Sequence, residues 1–162
     1  MPFENVVVNA SPLICLCSIS HEWLLPSLFK QVLVPSAVHD EVTRSADKHS
    51  LEPALSRLER LTIVPECVVA DSIRNWDLGR GETQVLGCAY GKPDLCVALD
   101  DAAARRCAKT HSIPVIGTGG ILIASKKRGL IRSVSACLFS LKTAGMWLSD
   151  AQFKMLLEIA GE

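Results

Sequence analysis

The sequence predicts an α/β fold organised around a mainly parallel sheet, and three observations carry that prediction. Short apolar runs at Val6 to Val8, Val32 to Val34, Val97 to Leu99 and Val115 to Ile116 read as strands covered on both faces, the habit of parallel sheets. Segments with helical periodicity and recognisable caps separate them, and strand-helix units in succession feed a parallel sheet. Each run also stops at or ahead of a polar residue: Asn9, Glu41, Asp100 and Thr118 in turn. Open sheets of this class place their sites just beyond the strands' carboxyl ends, so these residues are expected to converge on one edge.

In chain order, Asn5 to Val8 is the first strand. Ser11-Pro12 opens a helix through Cys17, since proline suits a first turn, and Glu22 to Phe29 is a second amphipathic piece. Gln31 to Val34 is a strand, after which Pro35-Ser36 starts a helix from Ala37 to about Ser45. A helix from about Pro53 to Leu58 precedes a short strand, Leu61 to Val64, and Pro65 to Gly79 then shows no period. Gly79-Arg80-Gly81 leads into a helix from Glu82 to Tyr90, stopped by Gly91 and Pro93. Cys96 to Leu99 reads as a strand, Asp101 to Thr110 as a helix, Ile113 to Ile116 as a strand, and Gly120 to Arg128 as a helix ended by Gly129. The tail carries a helix around Ser135 to Thr143 and a last one after Ser149, where Ser149 and Gln152 match a capping box. Phe153, Leu156, Leu157 and Ala160 recur there at helical spacing and read as docking on the chain's own core, with a homodimer contact as the second reading.

A chain of 162 residues with mean hydropathy +0.28 can bury a sizeable core, and its length fits one domain. Lys plus Arg and Asp plus Glu balance at 17 each, so any argument for a nucleic-acid partner must be local. The clearest basic cluster, Lys126, Lys127 and Arg128 with Arg105 and Arg106 upstream, reads first as cations at a helix C-terminus and second as a phosphate track. No apolar stretch approaches the roughly 20 residues that cross a bilayer, and Met1 to Asn9 lacks signal-peptide features; a cytoplasmic protein without membrane contact is expected. Seven cysteines without Cys-x-x-Cys spacing argue against a disulfide framework or zinc site and for buried free thiols, Cys88, Cys96 and Cys107 among them. His21, His39, His49 and His111 share no helical spacing and read as surface or packing residues.

Glu41, Glu82, Asp100 and Asp101 are the acids such an edge would gather. Carboxylates from separate segments repel one another, and a hard divalent cation with oxygen ligands commonly keeps them together. The alternative needs no metal, because acids in first helical turns favour the macrodipole by roughly 0.3 to 1 kcal/mol each. Ser11 is open to two roles, capping the first helix or donating a hydrogen bond to a phosphate or metal-bound water. The Gly117-Thr118-Gly119-Gly120 loop has N–H groups that could face a phosphate, but it lacks the glycine patterns of nucleotide-binding loops and reads as a tight connection.

Five segments together are more specific than any one of them. They are Val7-Val8-Asn9-Ala10-Ser11-Pro12-Leu13-Ile14; Val34-Pro35-Ser36-Ala37-Val38 with Glu41; Gly79-Arg80-Gly81-Glu82; Leu99-Asp100-Asp101 with Ala104-Arg105-Arg106; and Val115-Ile116-Gly117-Thr118-Gly119-Gly120 with Lys126 and Gly129-Leu130-Ile131. In this order the chain resembles the PIN-domain family, in particular a prokaryotic branch of largely uncharacterised PIN-like proteins, from about Asn5 to Arg132. The resemblance implies a three-layer α/β/α sandwich with an acidic pocket that binds Mg²⁺ or Mn²⁺ and cuts RNA phosphodiester bonds, often as the toxin of a toxin-antitoxin pair silenced by an antitoxin. It assigns Glu41, Glu82 and Asp100 to the second, third and fourth acidic positions, with Asp101 as an adjacent alternate. Ser11 and Thr118 become hydrogen-bond donors beside the metal. Asn9 stands where the family has Asp; its amide oxygen can still ligate a metal, but it brings no charge and cannot act as a general base.

Three readings therefore stay open: a metal-dependent ribonuclease, a PIN-like module that binds RNA or a protein partner without cutting, and an α/β domain whose acids only cap helices. Metal binding separates the last from the others, and RNA cleavage separates the first two.

Overall fold

The computed structural model describes residues 3–44 and 48–162. Val6, Val7 and Val8 are wholly buried in succession, which requires cover on both faces; they lie in β1 (Asn5–Val8), the middle strand of a five-stranded parallel sheet. The others are β2 (Gln31–Pro35), β3 (Leu61–Val64), β4 (Leu95–Ala98) and β5 (Val115–Ile116), in the order β3-β2-β1-β4-β5. Val7 pairs with Leu33 on one side and Val97 on the other. The connection thus reverses direction at β1, and such a switch point leaves a crevice where neighbouring strands send their chains to opposite faces.

The helices are α1 (Ala10–Ser18), α2 (Leu24–Leu28), α3 (Ser36–Arg44), α4 (Lys48–Ser56), α5 (Asp71–Arg74), α6 (Arg80–Ala89), α7 (Ala102–Thr110), α8 (Thr118–Lys127), α9 (Val134–Thr143) and α10 (Asp150–Ala160). α3 packs on α4 and α6, and α5 on α6; α8 packs on α2, α9 and α10. With the sheet between them, these groups form the expected three-layer α/β/α sandwich. Among the described residues no helix is long and apolar enough to cross a membrane.

The element boundaries shift where backbone hydrogen bonding overrides the apolar pattern. The strand expected from Ile113 begins only at Val115, because the Ile113 N–H is taken by the Ala108 carbonyl at the end of α7 and Pro114 has none. Pro53 reads in the sequence as a first-turn residue, yet α4 starts at Lys48 and carries Pro53 inside it, tolerating one missing hydrogen bond. A single helical turn, α5, interrupts the stretch without a period. The expected helix end at Ser45 lies outside the described residues, as does the side chain of His49.

The tail docks on the chain's own core, as its spacing suggested. Phe153, Leu156, Leu157 and Ala160 are partly buried against that core, and the Leu156 methyls lie 2.7 and 2.8 Å from where a Cβ on Gly119 would stand, so only glycine lets α10 approach α8 so closely. The Ser149 and Gln152 capping box is present. The Glu162 carboxylate accepts from the Val134 and Ser135 N–H groups at 2.7 and 2.9 Å and pairs with Lys126 Nζ at 2.8 Å. Arg128 donates to the carbonyls of Ser27 and Leu28. Lys126 and Arg128 are thus engaged within the fold, and Lys126 and Lys127 fall in the last turn of α8, which favours the helix-end reading for them over a phosphate track.

Lys126, followed by the Ser135 side-chain and backbone contacts, holds the Glu162 carboxyl far below its usual range. A depressed folded value means that its contribution is present at neutral pH and is lost as pH falls below the ordinary carboxylate range toward the folded value. Glu162→Gln is therefore expected to lower Tm at pH 7, with the gap to the wild type narrowing toward pH 3 in parallel melts.

Candidate functional site

The Asn9 N–H reaches the Ala98 carbonyl at 3.1 Å and extends the β1–β4 ladder by one residue, so Asn9 emerges where the two strands part. It is the N-cap of α1, but its side chain makes no capping bond. At 5% exposure its Oδ1 has no hydrogen-bond partner, a condition shared among buried side-chain atoms of the described residues only by Glu22 Oε2. Buried polar atoms are nearly always paired, so this oxygen stands out as an acceptor left open by the chain itself.

Glu41 stands in the second turn of α3, whose first turn holds no acid, so the macrodipole does not account for it. Gly81 brings α6 against this position. A Cβ there would lie 2.8 Å from Glu41 Oε2, 3.2 Å from Asn9 Oδ1 and 3.3 Å from Val38 Cγ2. An amide oxygen and a carboxylate oxygen therefore face one point above the glycine.

Glu82 follows in the first turn of α6, and its Oε2 accepts from the Gly79 N–H at 3.1 Å, the half of a capping box that a glycine N-cap allows. Burial pushes its carboxyl above the usual range against the pull of that N–H, and the charges of Asp101 and Glu41 push it further. A raised folded value means the group favours folding below the ordinary carboxylate range and loses that contribution as pH rises through the folded value. Glu82→Gln is thus expected to gain stability relative to the wild type as pH rises from 4 to 8. Mg²⁺ should raise the wild-type Tm more than that of the variant; equal shifts would sink the idea of an acidic cation site.

Across the crevice, Asp100 is clasped. Its Oδ1 accepts the Thr118 N–H at 2.8 Å, and its Oδ2 accepts the Thr118 hydroxyl at 2.6 Å and the Ser11 hydroxyl at 3.3 Å. Ser11 lies within α1 and does not cap it, so its capping role falls away. Asp101 is exposed and caps α7, accepting from the Ala104 N–H at 2.8 Å, as the metal-free reading supposed for it. Thr118 is wholly buried with its N–H taken, and Leu156 covers Gly119, so the glycine loop is a tight connection. Arg105 Nη1 donates to the Leu99 carbonyl at 3.0 Å, bracing the end of β4.

The sequence profile of one family, described as PIN domain, matches residues 5–162. The chain belongs to the PIN-domain family. The match takes in α9 and α10, beyond the stretch that carried the resemblance in the sequence. Among curated proteins none matches the chain. PIN domains have a nuclease-like fold, generally depend on a divalent metal and generally bind RNA.

In this PIN domain the sequence-derived site residues other than Asp101, which caps α7, fall into two sets on one sheet edge. Asn9, Glu41 and Glu82 line a cleft of about 720 Å³, ample for a phosphate and several waters, and Asp100, Ser11 and Thr118 form the hydrogen-bonded clasp beside it. Among the described residues no three His, Cys, Asp or Glu side chains close into a cage. The orphaned Asn9 oxygen opposite Glu41 fits a different arrangement, a Mg²⁺-like ion that keeps most of its water and takes few protein oxygens. Three charged cleft residues were not among the site candidates read from the sequence: Asp40, Arg44 and Arg80, the last of them named there only as part of a motif. Arg44 stands three residues after Glu41 on a helix, a spacing that places both on one face and was the available signal. Cys88 and Cys96, both buried, have thiols pushed up to about 12, first by burial, which keeps them protonated at neutral pH and argues against a role in attacking RNA.

Proposed function

We propose that this cleft hydrolyses RNA phosphodiester bonds with a divalent cation, Mg²⁺ or Mn²⁺, and that the protein is the toxin of a toxin-antitoxin pair held silent by a cognate antitoxin. One observation carries the reading: the unpartnered Asn9 Oδ1 and the Glu41 carboxylate face a common point above Gly81, next to Glu82, whose carboxyl is raised by burial first and then by the charges of Asp101 and Glu41. Family membership supports it.

Asn9 and Glu41 would hold the cation, with Glu82 and Asp100 lending charge from either side. When bound, such an ion neutralises charge on the phosphate and activates water. Glu82, whose carboxyl burial raises and so makes the stronger base, would accept in its ionised form the proton of the attacking water. Ser11 and Thr118 act through Asp100, fixing its carboxylate at the crevice. Arg44 and Arg80 at the cleft wall offer cations to the phosphates flanking the one attacked.

The deciding experiment is cleavage of a mixed-sequence single-stranded RNA by purified protein in Mg²⁺ or Mn²⁺, with EDTA and Glu82→Gln controls. Metal-dependent cutting lost in both controls supports the proposal; an inert protein under all conditions defeats it. A second reading, an RNA- or protein-binding module without cleavage, is favoured by the amide at position 9, which supplies an oxygen but no charge. Asn9→Asp separates the two: a gain of about tenfold or more in cleavage identifies a site whose affinity for metal the amide weakens.

A further inference from the structure

Outside the cleft, the structure brings two thiols together. Cys67, on the segment that crosses α6, and Cys88, near that helix's end, have Sγ atoms 3.7 Å apart. The approach is built by other residues. At Gly87 a Cβ would lie 2.7 Å from Val69 Cγ2 and 3.1 Å from Cys67 Sγ, so the absence of a side chain lets the segment press against the helix. Gln84 then pins it by its amide, accepting from the Cys67 N–H at 2.9 Å and donating to the Cys67 carbonyl at 3.3 Å. Cys67 is half-buried and Cys88 buried, while the adjacent Val68 is 98% exposed, so a small inward shift of the segment costs no packing of that side chain.

We propose that Cys67 and Cys88 form a reversible disulfide when the protein meets hydrogen peroxide, tying the segment around Glu66 to Val69 onto α6. The Cys67 thiolate, the more accessible of the two, attacks the peroxide. An S–O bond forms, the O–O bond breaks, and the departing hydroxide leaves as water with the proton given up by the thiol. Cys88 Sγ then attacks the Cys67 sulfur, the S–S bond forms, the S–O bond breaks, and the hydroxyl leaves as a second water with the Cys88 proton. Two thiols lose two electrons, which peroxide gains. Cys88 takes the second role by position: it is buried, out of reach of the peroxide, and its Sγ stands 3.7 Å from the sulfur that is oxidised first.

The crosslink bears on the cleft through Glu66, which precedes Cys67 and pairs with Arg80 in the cleft wall. Holding Glu66 over Arg80 withholds that guanidinium from RNA, so oxidation lowers cleavage, a consequence that rests on the function proposed above.

The test treats the whole protein with hydrogen peroxide, blocks remaining thiols and maps peptides. The expected result is a Cys67–Cys88 linked peptide, a Tm rise of about 5–10 °C that dithiothreitol reverses, and loss of both in Cys67→Ser and in Cys88→Ser but not in Cys96→Ser. A different pairing, over-oxidised thiols without a link, or a linked protein whose Tm does not rise overturns the proposal. Should RNA remain uncut by the reduced protein, the cleavage reading fails alone, and the peptide map still decides the disulfide.

Discussion

Glu41→Gln is expected to reduce metal-dependent RNA cleavage by about 100-fold or more while leaving the fold intact. The side chain is exposed on α3 and carries no helix-capping duty, so its loss should move Tm little. Its Oε2 nevertheless faces the unpartnered Asn9 oxygen above Gly81, where a glutamine supplies one neutral oxygen in place of a charge; even residues that merely support metal ligands are worth 10 to 100-fold. Gly81→Ala approaches the same point from the other side. Its methyl would lie 2.8 Å from Glu41 Oε2 and must displace that carboxylate. Helix propensity favours alanine by about 1 kcal/mol, which opposes the cost of crowding, so the variant should remain folded as its cleavage falls. Cleavage rates and melting curves measured on both variants check this; full activity in Glu41→Gln would remove the residue from the site.

Asp100→Ala is expected to be the most destabilising single change at the sheet edge. It removes the acceptor of three hydrogen bonds and strands the hydroxyl and N–H of Thr118, which is wholly buried. Hydrogen bonds to a charged group contribute about 1.5 to 3 kcal/mol, and the losses within one cluster overlap, so about 3 kcal/mol, or about 6–12 °C in Tm, is the expected fall. Asp100→Asn keeps one acceptor oxygen and should lose less. Thermal melts of the two variants give the comparison, and an Asp100→Ala protein as stable as the wild type would mean that the clasp is not formed in solution.

How much of this was legible depended on whether a residue's role lay in its own segment. Val6 to Val8 and Val97 to Leu99 announce buried parallel strands because no exposed strand tolerates such a run, and the capping box at Ser149 is wholly local. The short β5 was misjudged because its length turns on where the Ile113 N–H is spent, which the apolar pattern does not record. At the site, the acids were legible as strand-end residues. Their division into a cleft set and a clasp was not, since Ser11 and Thr118 meet Asp100 across 89 and 18 positions of chain. Gly81 looked like part of a helix start; what matters there is the pair of oxygens opposite, and a glycine carries no sign of what it faces.

The central place of β1 has a consequence for a chain that is made from one end to the other. β1, made before the other four strands of its sheet, gains its second neighbour only when β4, at Leu95–Ala98, exists, and Asp100 is fixed only once Thr118 follows. Parallel pairings at such separation close late and slowly. A nascent chain that has not yet reached Glu82 and Thr118 therefore carries Asn9 and Glu41 without the walls that turn them into a site, and whatever the cleft does begins once those later segments are in place rather than by degrees.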